Sequence, residues 1–358
     1  MRNSIEVRAF CLAIALAVPT VLCAAPTPRT DWKETIAPDE QQIFSALPAE
    51  FNRMQQKVAD DVGGKPQRGL HNKPHLTLRA EFKVLDGLPE IYRQGFFKTP
   101  GTYQAWVRFS NGQGAQQEDR RPDLRGMAVK ILDVPGDNLS AGHTFDIVTN
   151  NFPAQPARDI NQFMSFLRDQ GNVLTLPLKL ARDLGWSEAK RILSWAANNL
   201  GVRVTSLATT NFFTGLPLQY GPYACHIRLR ANNSDAIPIA GPGSPDYLRA
   251  DLRHRLFETG LAWDVEVQLY TDPVKTPIED ASIVWDERDA PYVKVATLWM
   301  ERRSFTTDSF IADEAKGNDL LWNPWHAPKE HRPLGQLMRA RRFVYPGSGQ
   351  YRGAQPDK

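Results

Sequence analysis

The sequence predicts an α+β fold built on a sizeable antiparallel sheet, open or closed as a barrel. Several segments alternate apolar and polar residues, as half-buried strands do. These strand segments lie early in the chain and again late, helical segments lie in the middle of the chain, and one more lies near the end. A parallel sheet would need strict alternation of strands and helices, which this order does not show.

The strand pattern is clearest at residues 76–84, with the sequence LTLRAEFKV. Its leucines, alanine, phenylalanine and valine fall on one face, and its threonine, arginine, glutamate and lysine fall on the other. Turn-rich connections such as NGQGAQQEDRRPD separate the strand segments. Five further segments follow the same pattern: 103–111, 126–134, 223–231, 263–271 and 292–300.

Helical periodicity marks four segments, which are residues 158–169, 176–200, 246–260 and 334–343. The polar sequence that follows the last of them, SGQYRGAQPDK, predicts a solvated tail, with the exception of Arg352. We find no internal repeat and no low-complexity block, so residues 25–358 are expected to form a single domain.

The N-terminus has the features of an export signal, which we assign to residues 1–24. Arg2 and Arg8 precede an apolar run that is too short for a permanent membrane anchor, and small residues follow near Ala24. A lipoprotein site at Cys23 is the weaker alternative, because Leu22 stands where a small residue is wanted. The sequence therefore predicts a periplasmic or secreted protein without a stable membrane anchor.

Composition limits the classes of function that the chain can have. With 358 residues, 42% of them hydrophobic, it can bury a large core. Its 43 basic and 40 acidic residues nearly balance, which gives no sign of nucleic-acid binding. Cys225 is the only cysteine beyond the predicted signal, which excludes an intrachain disulfide and a cysteine metal cluster in the mature chain.

The segment RGLHNKPH, which begins at Arg68, leads into the first strand and carries two histidines. The simplest interpretation is a polar loop at the surface. A zinc site formed by His71 and His75 is an alternative, but a spacing of four joins two ligands only on a helix, and Pro74 makes a helix unfavourable here.

Six short motifs occur in a fixed order along the chain: RGLHNKPH, VRFSNGQG, RGMAVK, FDIVTNNFP, RDINQF and RRFVY. In this order and at these separations they resemble the haem catalases, and the resemblance extends from Arg68 to Arg352. The segment WDVEVQ, the segment PIEDASIVW and the short C-terminus are similar to the small catalase-related peroxidases. The resemblance implies a catalase-core β-barrel surrounded by helices, haem b as cofactor, and no C-terminal flavodoxin-like domain.

On one face of the haem, the resemblance makes Tyr345 the iron ligand. A phenol is protonated at neutral pH unless something stabilises its anion. Ferric iron and the guanidinium of Arg341, one helical turn back, would do so. An anionic ligand of this kind helps cleavage of the O–O bond and disfavours reduction of the iron.

On the opposite face, the resemblance makes His71 the distal base, with Asn150 and Ser110 beside it. One neutral imidazole can take a proton from a peroxide and return it to the leaving oxygen. Asn150 would orient the peroxide, and Ser110 would fix the imidazole. The remaining cofactor contacts that the family pattern implies are the propionate-binding residues Arg68, Arg108 and Arg352 and the stacking residue Phe163.

The sequence also departs from the family pattern, mainly around the distal pocket. Gly112 replaces a bulkier residue, and Gln155 and Pro156 stand where larger enzymes have paired phenylalanines. The other departures are Pro74, His75, Met127 and Gly347. We expect a looser distal pocket that admits bulky peroxides or organic electron donors.

Four functions are compatible with these motifs. The favoured one is a peroxidase that uses hydrogen peroxide or organic hydroperoxides to oxidise a small organic reductant, with residual catalase activity. A true catalase would use a second hydrogen peroxide as the reductant. Isomerisation of a lipid hydroperoxide and non-enzymatic haem transport are further alternatives. The sequence leaves the number of subunits undetermined.

Overall fold

The computed structural model describes residues 26–169 and 174–355. The predicted signal peptide, residues 1–24, lies outside this part of the chain. Within it, the strands are β1 (Pro74–Val84), β2 (Gly101–Asn111), β3 (Arg125–Ile131), β4 (Phe145–Asn150), β5 (Phe212–Phe213), β6 (Leu218–Tyr220), β7 (Tyr223–Ala231), β8 (Leu261–Leu269) and β9 (Tyr292–Met300). The α-helices are α1 (Glu40–Val62), α2 (Ile160–Asp169), α3 (Leu176–Leu184), α4 (Trp186–Leu200), α5 (Tyr247–Glu258), α6 (Asp308–Asp319) and α7 (Gln336–Tyr351).

Eight of the strands form a closed antiparallel barrel, in the order β1-β2-β3-β4-β5-β7-β8-β9 with β9 beside β1. The short strand β5 closes the ring, since it pairs with β4 at Asn150 and with β7 at Arg228 and Leu229. Strand β6 adds to β7 outside the ring. The predicted α+β fold with an antiparallel barrel is therefore confirmed.

The barrel interior is the main hydrophobic core, and the alternation seen in the sequence places its residues there. In β1 the predicted apolar face is buried throughout, from Leu76 to Val84. Thr77, expected on the exposed face, is also fully buried. Its hydroxyl donates to Asn318 Oδ1 over 2.8 Å because α6 packs against the outside of β1 and β2.

Two of the helix predictions differ from the structure in their bounds. Residues 176–200 form two helices rather than one continuous helix. The helical conformation is interrupted at Gly185, whose φ is 82°. The last helix continues through Pro346 to Tyr351, so residues 348–351, which were expected in a solvated tail, are helical. Beyond the helix, Gln355 exchanges backbone hydrogen bonds with Asp319 and Leu321, which fixes this residue against the end of α6.

Helices α1 and α6 are additions that the strand and helix patterns did not predict. The apolar residues Phe44, Leu47 and Phe51 of α1 face the core at helical spacing, and α1 packs along α7.

Among the described helices, none combines the length and the apolar composition needed to cross a bilayer.

Candidate active site

One large cavity lies between strands β2 to β4 and helices α2, α4 and α7, with an empty volume of about 1700 Å³ including its mouth. Its lining is mostly apolar, with a few polar and charged side chains. All of the residues that the sequence analysis assigned to a site line this one cavity: Arg68, His71, Arg108, Ser110, Asn150, Phe163, Arg341, Tyr345 and Arg352.

The distal motifs meet because neighbouring strands place them in register. Ser110 at the end of β2 lies opposite Gly126 in β3, and Gly126 lies opposite Asn150 at the end of β4. The motifs VRFS, RGMAVK and FDIVTNN, far apart in sequence, thus form one row across the end of the barrel. His71 comes from the loop before β1 and lies over this row.

The imidazole of His71 is held on two sides. Its Nδ1 lies 3.1 Å from Ser110 Oγ, and the backbone N–H of His71 donates to Gly112 O over 2.7 Å. Gly126 leaves room for the ring, since a Cβ there would lie 2.5 Å from Nδ1. With Nδ1 engaged by the serine, Nε2 is the ring nitrogen left for other chemistry.

His71 is neutral in this environment. Burial, and after it the charges of Arg108, Arg341 and Arg68, lower the pKa of His71 to about 3. A neutral imidazole can accept a proton at Nε2, whereas an imidazolium cannot. The cations around the cavity thus favour a base at this position.

The amide of Asn150 is oriented by the backbone that follows it. Its Oδ1 accepts a hydrogen bond from the N–H of Phe152 over 2.8 Å. The amide oxygen is therefore engaged, and the Nδ2 group is the part of Asn150 that can donate to a molecule in the cavity.

Tyr345 and Arg341 lie one turn apart on α7 and line the same cavity. The guanidinium carbon of Arg341 is 6.0 Å from the centroid of the Tyr345 ring. Among the described residues, no group forms a hydrogen bond with the Tyr345 hydroxyl. The phenol is thus available as a ligand, and the guanidinium of Arg341 lies beside its ring.

Arg68, Arg108 and Arg352 form a group of cations along another part of the wall. In the described part of the chain none of them pairs with a carboxylate; their hydrogen bonds go to carbonyl oxygens and to the amide of Asn318. Arg108 is only 5% exposed. Buried cations without anionic partners are costly, so this group suits a ligand that carries carboxylates.

The donor set fits a flat apolar cofactor with an acidic edge and its own metal. The described residues contain no cluster of three or more histidines, cysteines, aspartates or glutamates that could hold a bare metal ion. The zinc alternative has no support here, since His75 turns away and its Nε2 lies 2.8 Å from Asn111 Oδ1. Phe163 and the apolar lining suit the faces of a macrocycle, and the arginines suit its carboxylates.

The departures from the family pattern do not all widen the cavity. At Gly112 the missing side chain is replaced by Leu124, which packs where a Cβ would be. Gln155 and Pro156 line the cavity, and Gln155 is 6% exposed. The expected loosening is therefore absent at Gly112, and on the side formed by Gln155 and Pro156 it stays a prediction.

Sequence analysis missed three contributors to the site. Gly126 was quoted within RGMAVK without a role, although the imidazole depends on its lack of a side chain. Asn318 and the carbonyl of Leu320, which contact the arginines, belong to α6 and the residue after it, where no motif was recognised. Only the glycine stood in a motif, so only it could have been found from the sequence.

No family model matches the chain, and no curated protein matches it. Solved structures do. A fungal catalase superposes with a TM-score of 0.64 at 20% identity, covering 99% of this chain and 71% of its own. Catalase A from Saccharomyces cerevisiae has a TM-score of 0.61 at 18% identity, covering 91% of this chain and 67% of its own. A bacterial catalase has a TM-score of 0.59 at 20% identity, covering 98% and 67%. At these identities the likeness shows that the chain has the catalase fold.

Proposed function

We propose that this chain, a protein of the catalase fold, is a haem-dependent peroxidase that uses hydrogen peroxide or organic hydroperoxides to oxidise small organic donors. One observation carries the proposal: a single cavity holds an available phenol, a neutral imidazole and three arginines that no described carboxylate pairs. The chain has no C-x-x-C-H motif for covalent attachment, which supports haem b.

Different residues of the cavity would bind different parts of the cofactor. Tyr345 would bind the iron, Arg68, Arg108 and Arg352 would bind the propionates, and Phe163 would pack on the ring. Bound there, haem supplies a redox-active iron that takes up the two oxidising equivalents of a peroxide.

The distal residues would handle the protons of the peroxide. His71 would accept a proton at Nε2 from the oxygen that approaches the iron and return it to the oxygen that leaves as water or alcohol. Ser110 would keep Nδ1 engaged so that Nε2 stays directed at the substrate. Asn150 would donate from Nδ2 to the peroxide and orient it.

The identity of the reductant separates a peroxidase from a catalase. In peroxidase turnover one hydrogen peroxide oxidises two donor molecules AH to two radicals A• and gives two waters. In catalase turnover a second hydrogen peroxide is oxidised to oxygen instead. The replacement of paired phenylalanines by Gln155 and Pro156 at the cavity supports access by an organic donor. The solved structures that share the fold are described as catalases, which favours catalase turnover as the second candidate.

Haem transport alone would not explain the distal side. A carrier needs a ligand and counter-charges, but it gains nothing from an imidazole held by Ser110 over a glycine and kept neutral by burial and by neighbouring cations. We also propose that the protein acts outside the cytoplasm, on the basis of the predicted signal peptide at residues 1–24.

The test compares oxygen release with dye oxidation in the haem-loaded protein, using hydrogen peroxide and cumene hydroperoxide. We expect dye oxidation with both, and at least about 100-fold less in His71→Ala at unchanged haem content, since general acid–base catalysis contributes on that scale. His254→Ala, a change in α5 away from the cavity, is the matched control.

Oxygen release without dye oxidation would make the protein a catalase. Wild-type rates in haem-loaded His71→Ala would refute the assignment of the distal base. Tyr345→Phe tests the other face: we expect weaker haem retention and loss of the phenolate-to-iron charge-transfer band, and an unchanged band would refute the ligand assignment.

A further inference from the structure

The C-terminal end of α6 contacts all three arginines of the cationic group. Arg68 Nη2 donates to the backbone carbonyls of Asn318 and Leu320, over 2.8 and 3.0 Å. Arg352 Nη2 donates to the same Leu320 carbonyl over 3.1 Å. Arg108 Nε donates to the side-chain Oδ1 of Asn318 over 3.3 Å. Residues from three distant parts of the chain thus meet at one helix end.

All of these acceptors are uncharged. The last carbonyls of a helix have no partner within the helix, and they lie at the negative end of its dipole. They can orient a guanidinium without cancelling its charge, whereas a carboxylate would form an ion pair and neutralise it. Asp319, the neighbouring carboxylate, is exposed and makes no ion pair with these arginines within the described residues. Its charge acts on Arg68 and Arg352 only at longer range, where it opposes the lowering of their pKa values by burial.

Arg108 and Arg352 keep their charge despite burial, whereas burial and then the charges of these two arginines lower the pKa of Arg68 well below its usual value. Burial, and after it the charge of Arg352, lowers the pKa of Arg108 to about 9. Burial also lowers the pKa of Arg352 to about 10. Both groups are still cationic at neutral pH, so the end of α6 presents a concentrated positive charge to the cavity.

The end of α6 is itself fixed in place on three sides. At Gly317 a Cβ would collide with the Thr77 side chain and lie 3.1 Å from Trp106 Cε3, so α6 approaches the barrel closely there. Asn318 Oδ1 accepts from the Thr77 hydroxyl over 2.8 Å, in addition to its contact with Arg108. The backbone pairing of Gln355 with Asp319 and Leu321 holds the segment that follows α7, which begins with Arg352, at the same place.

We propose that the end of α6, with Asn318 at its centre, is an uncharged cradle that orients the three arginines and leaves their charge for the carboxylates of the cofactor. This inference rests on the proposed haem function. Asn318 is thereby a positioning residue, since it acts through Arg68 and Arg108 and does not line the cavity itself. Its amide matters because the isosteric aspartate would place a negative charge 3.3 Å from Arg108 Nε and compete with a propionate.

The experiment titrates the full chain, prepared without haem, with haem and with haem dimethyl ester, whose propionates carry no charge. Binding is followed by the absorption of the porphyrin. We expect the wild type to bind haem at least about tenfold more tightly than the ester, because charge-assisted hydrogen bonds are the strong ones. Asn318→Asp should weaken haem binding about tenfold and leave the affinity for the ester within twofold.

The matched control is Asn198→Asp, the same change at an exposed site on α4 that does not line the cavity. It should bind both porphyrins as the wild type does. Asn318→Ser keeps a neutral oxygen and should preserve most of the preference for haem over the ester. This variant, with circular dichroism on each protein, keeps the test decisive if Asn318→Asp does not fold.

Equal affinity of the wild type for haem and its ester would overturn this inference. An equal loss of affinity for haem and for the ester in Asn318→Asp would also overturn it, because it would indicate a structural role for Asn318. A wild type that binds neither porphyrin would instead overturn the proposed function. The two failures are therefore distinguishable in the same titration.

Discussion

His71 has a backbone conformation that few residues other than glycine adopt, since its φ is 55°. A left-handed conformation costs a residue with a side chain about 1 kcal/mol. Here the cost is offset by the hydrogen bond from its N–H to Gly112 O and by the contact between Nδ1 and Ser110. Strain of this kind is concentrated at functional sites, where the surrounding structure enforces it.

Gly126→Ala tests how closely the imidazole depends on its support. The new Cβ would lie 2.5 Å from His71 Nδ1 and 3.1 Å from Ser110 Oγ, so the ring would have to move. We expect unchanged haem content and about a 100-fold slower reaction with hydrogen peroxide, because a displaced base loses its proton-transfer contribution. Stopped-flow absorption of the haem measures the rate.

The control for that change is Gly243→Ala, at a glycine whose added Cβ would meet no atom within 4 Å. It should react at the wild-type rate. If Gly126→Ala reacted as fast as the control, the imidazole would not be held between Ser110 and the β3 backbone in the way the structure shows.

At the scale of elements, α7 is the helix that carries Tyr345, and its three arginines have separate partners. Arg341 lies beside Tyr345 in the cavity, and Arg342 lies over the ring of Trp325 at 5.1 Å. Arg339 contacts three glutamates, Glu34, Glu40 and Glu279, at 2.6 to 3.0 Å. Arg339 thus joins the start of α7 to the N-terminal segment and to the loop after β8.

Arg339→Gln should lower the free energy of unfolding by about 3 kcal/mol at pH 7, because among the described residues Arg339 is the cation that pairs with Glu40 and Glu279. Glu34 would keep its ion pair with Arg332. Burial alone would raise the pKa of Glu40, but its hydrogen bond with Arg339 holds that pKa below its usual value. This stabilisation is present above the ordinary carboxylate pKa and is lost as the pH falls through the lowered one. Urea unfolding at pH 7 and pH 4 measures both effects.

The difference between Arg339→Gln and the wild type should therefore be smaller at pH 4 than at pH 7. Arg342→Gln is the matched control, since Arg342 is exposed and lies on the same helix. A similar loss of stability in both variants would mean that the loss comes from helix propensity and not from the glutamate contacts.

The strands were predictable because a period of two is visible in the sequence and one face of each strand meets the barrel interior. Residues 223–231 and 292–300 coincide with β7 and β9 at both ends. Helix α6 was not predictable in this way, because Phe310 is the one large apolar residue of this helix that is buried. It is held by close packing at Gly317 and by polar contacts, which leave no period in the sequence.

The residues of the site also differ in whether the sequence predicts them. His71, Ser110, Asn150 and Tyr345 could be predicted because each stands in a short motif, and their order along the chain carried the resemblance. Asn318 could not, since its contact with Arg108 joins residues 210 positions apart and depends on where α6 meets the barrel. Contacts made by backbone carbonyls, such as that of Leu320, carry no sequence signal at all.

At the scale of the whole molecule, three histidines that are at most 5% exposed lie outside the cavity: His75, His226 and His331. Burial is the first cause in each case, and it lowers the pKa of His226 to about 3 and the pKa values of His75 and His331 to about 4. In the unfolded chain a histidine titrates near 6.5. Between pH 6.5 and about 4 the unfolded state therefore binds more protons than the folded state, and stability must fall as the pH falls.

His226→Phe isolates one of these contributions while keeping an aromatic ring for the stack on Trp285, where the centroids are 4.0 Å apart. Each buried histidine should lower the free energy of unfolding by about 1.4 kcal/mol as the pH falls from 7.5 to 5.5. Over that range the histidine takes up a proton only in the unfolded state. We expect urea unfolding to show a pH dependence shallower by about that amount in His226→Phe than in the wild type or in His254→Gln. An unchanged pH dependence would mean that the pKa of His226 in the folded protein lies near the unfolded value of about 6.5, because only equal pKa values in the two states leave the proton balance between them unchanged.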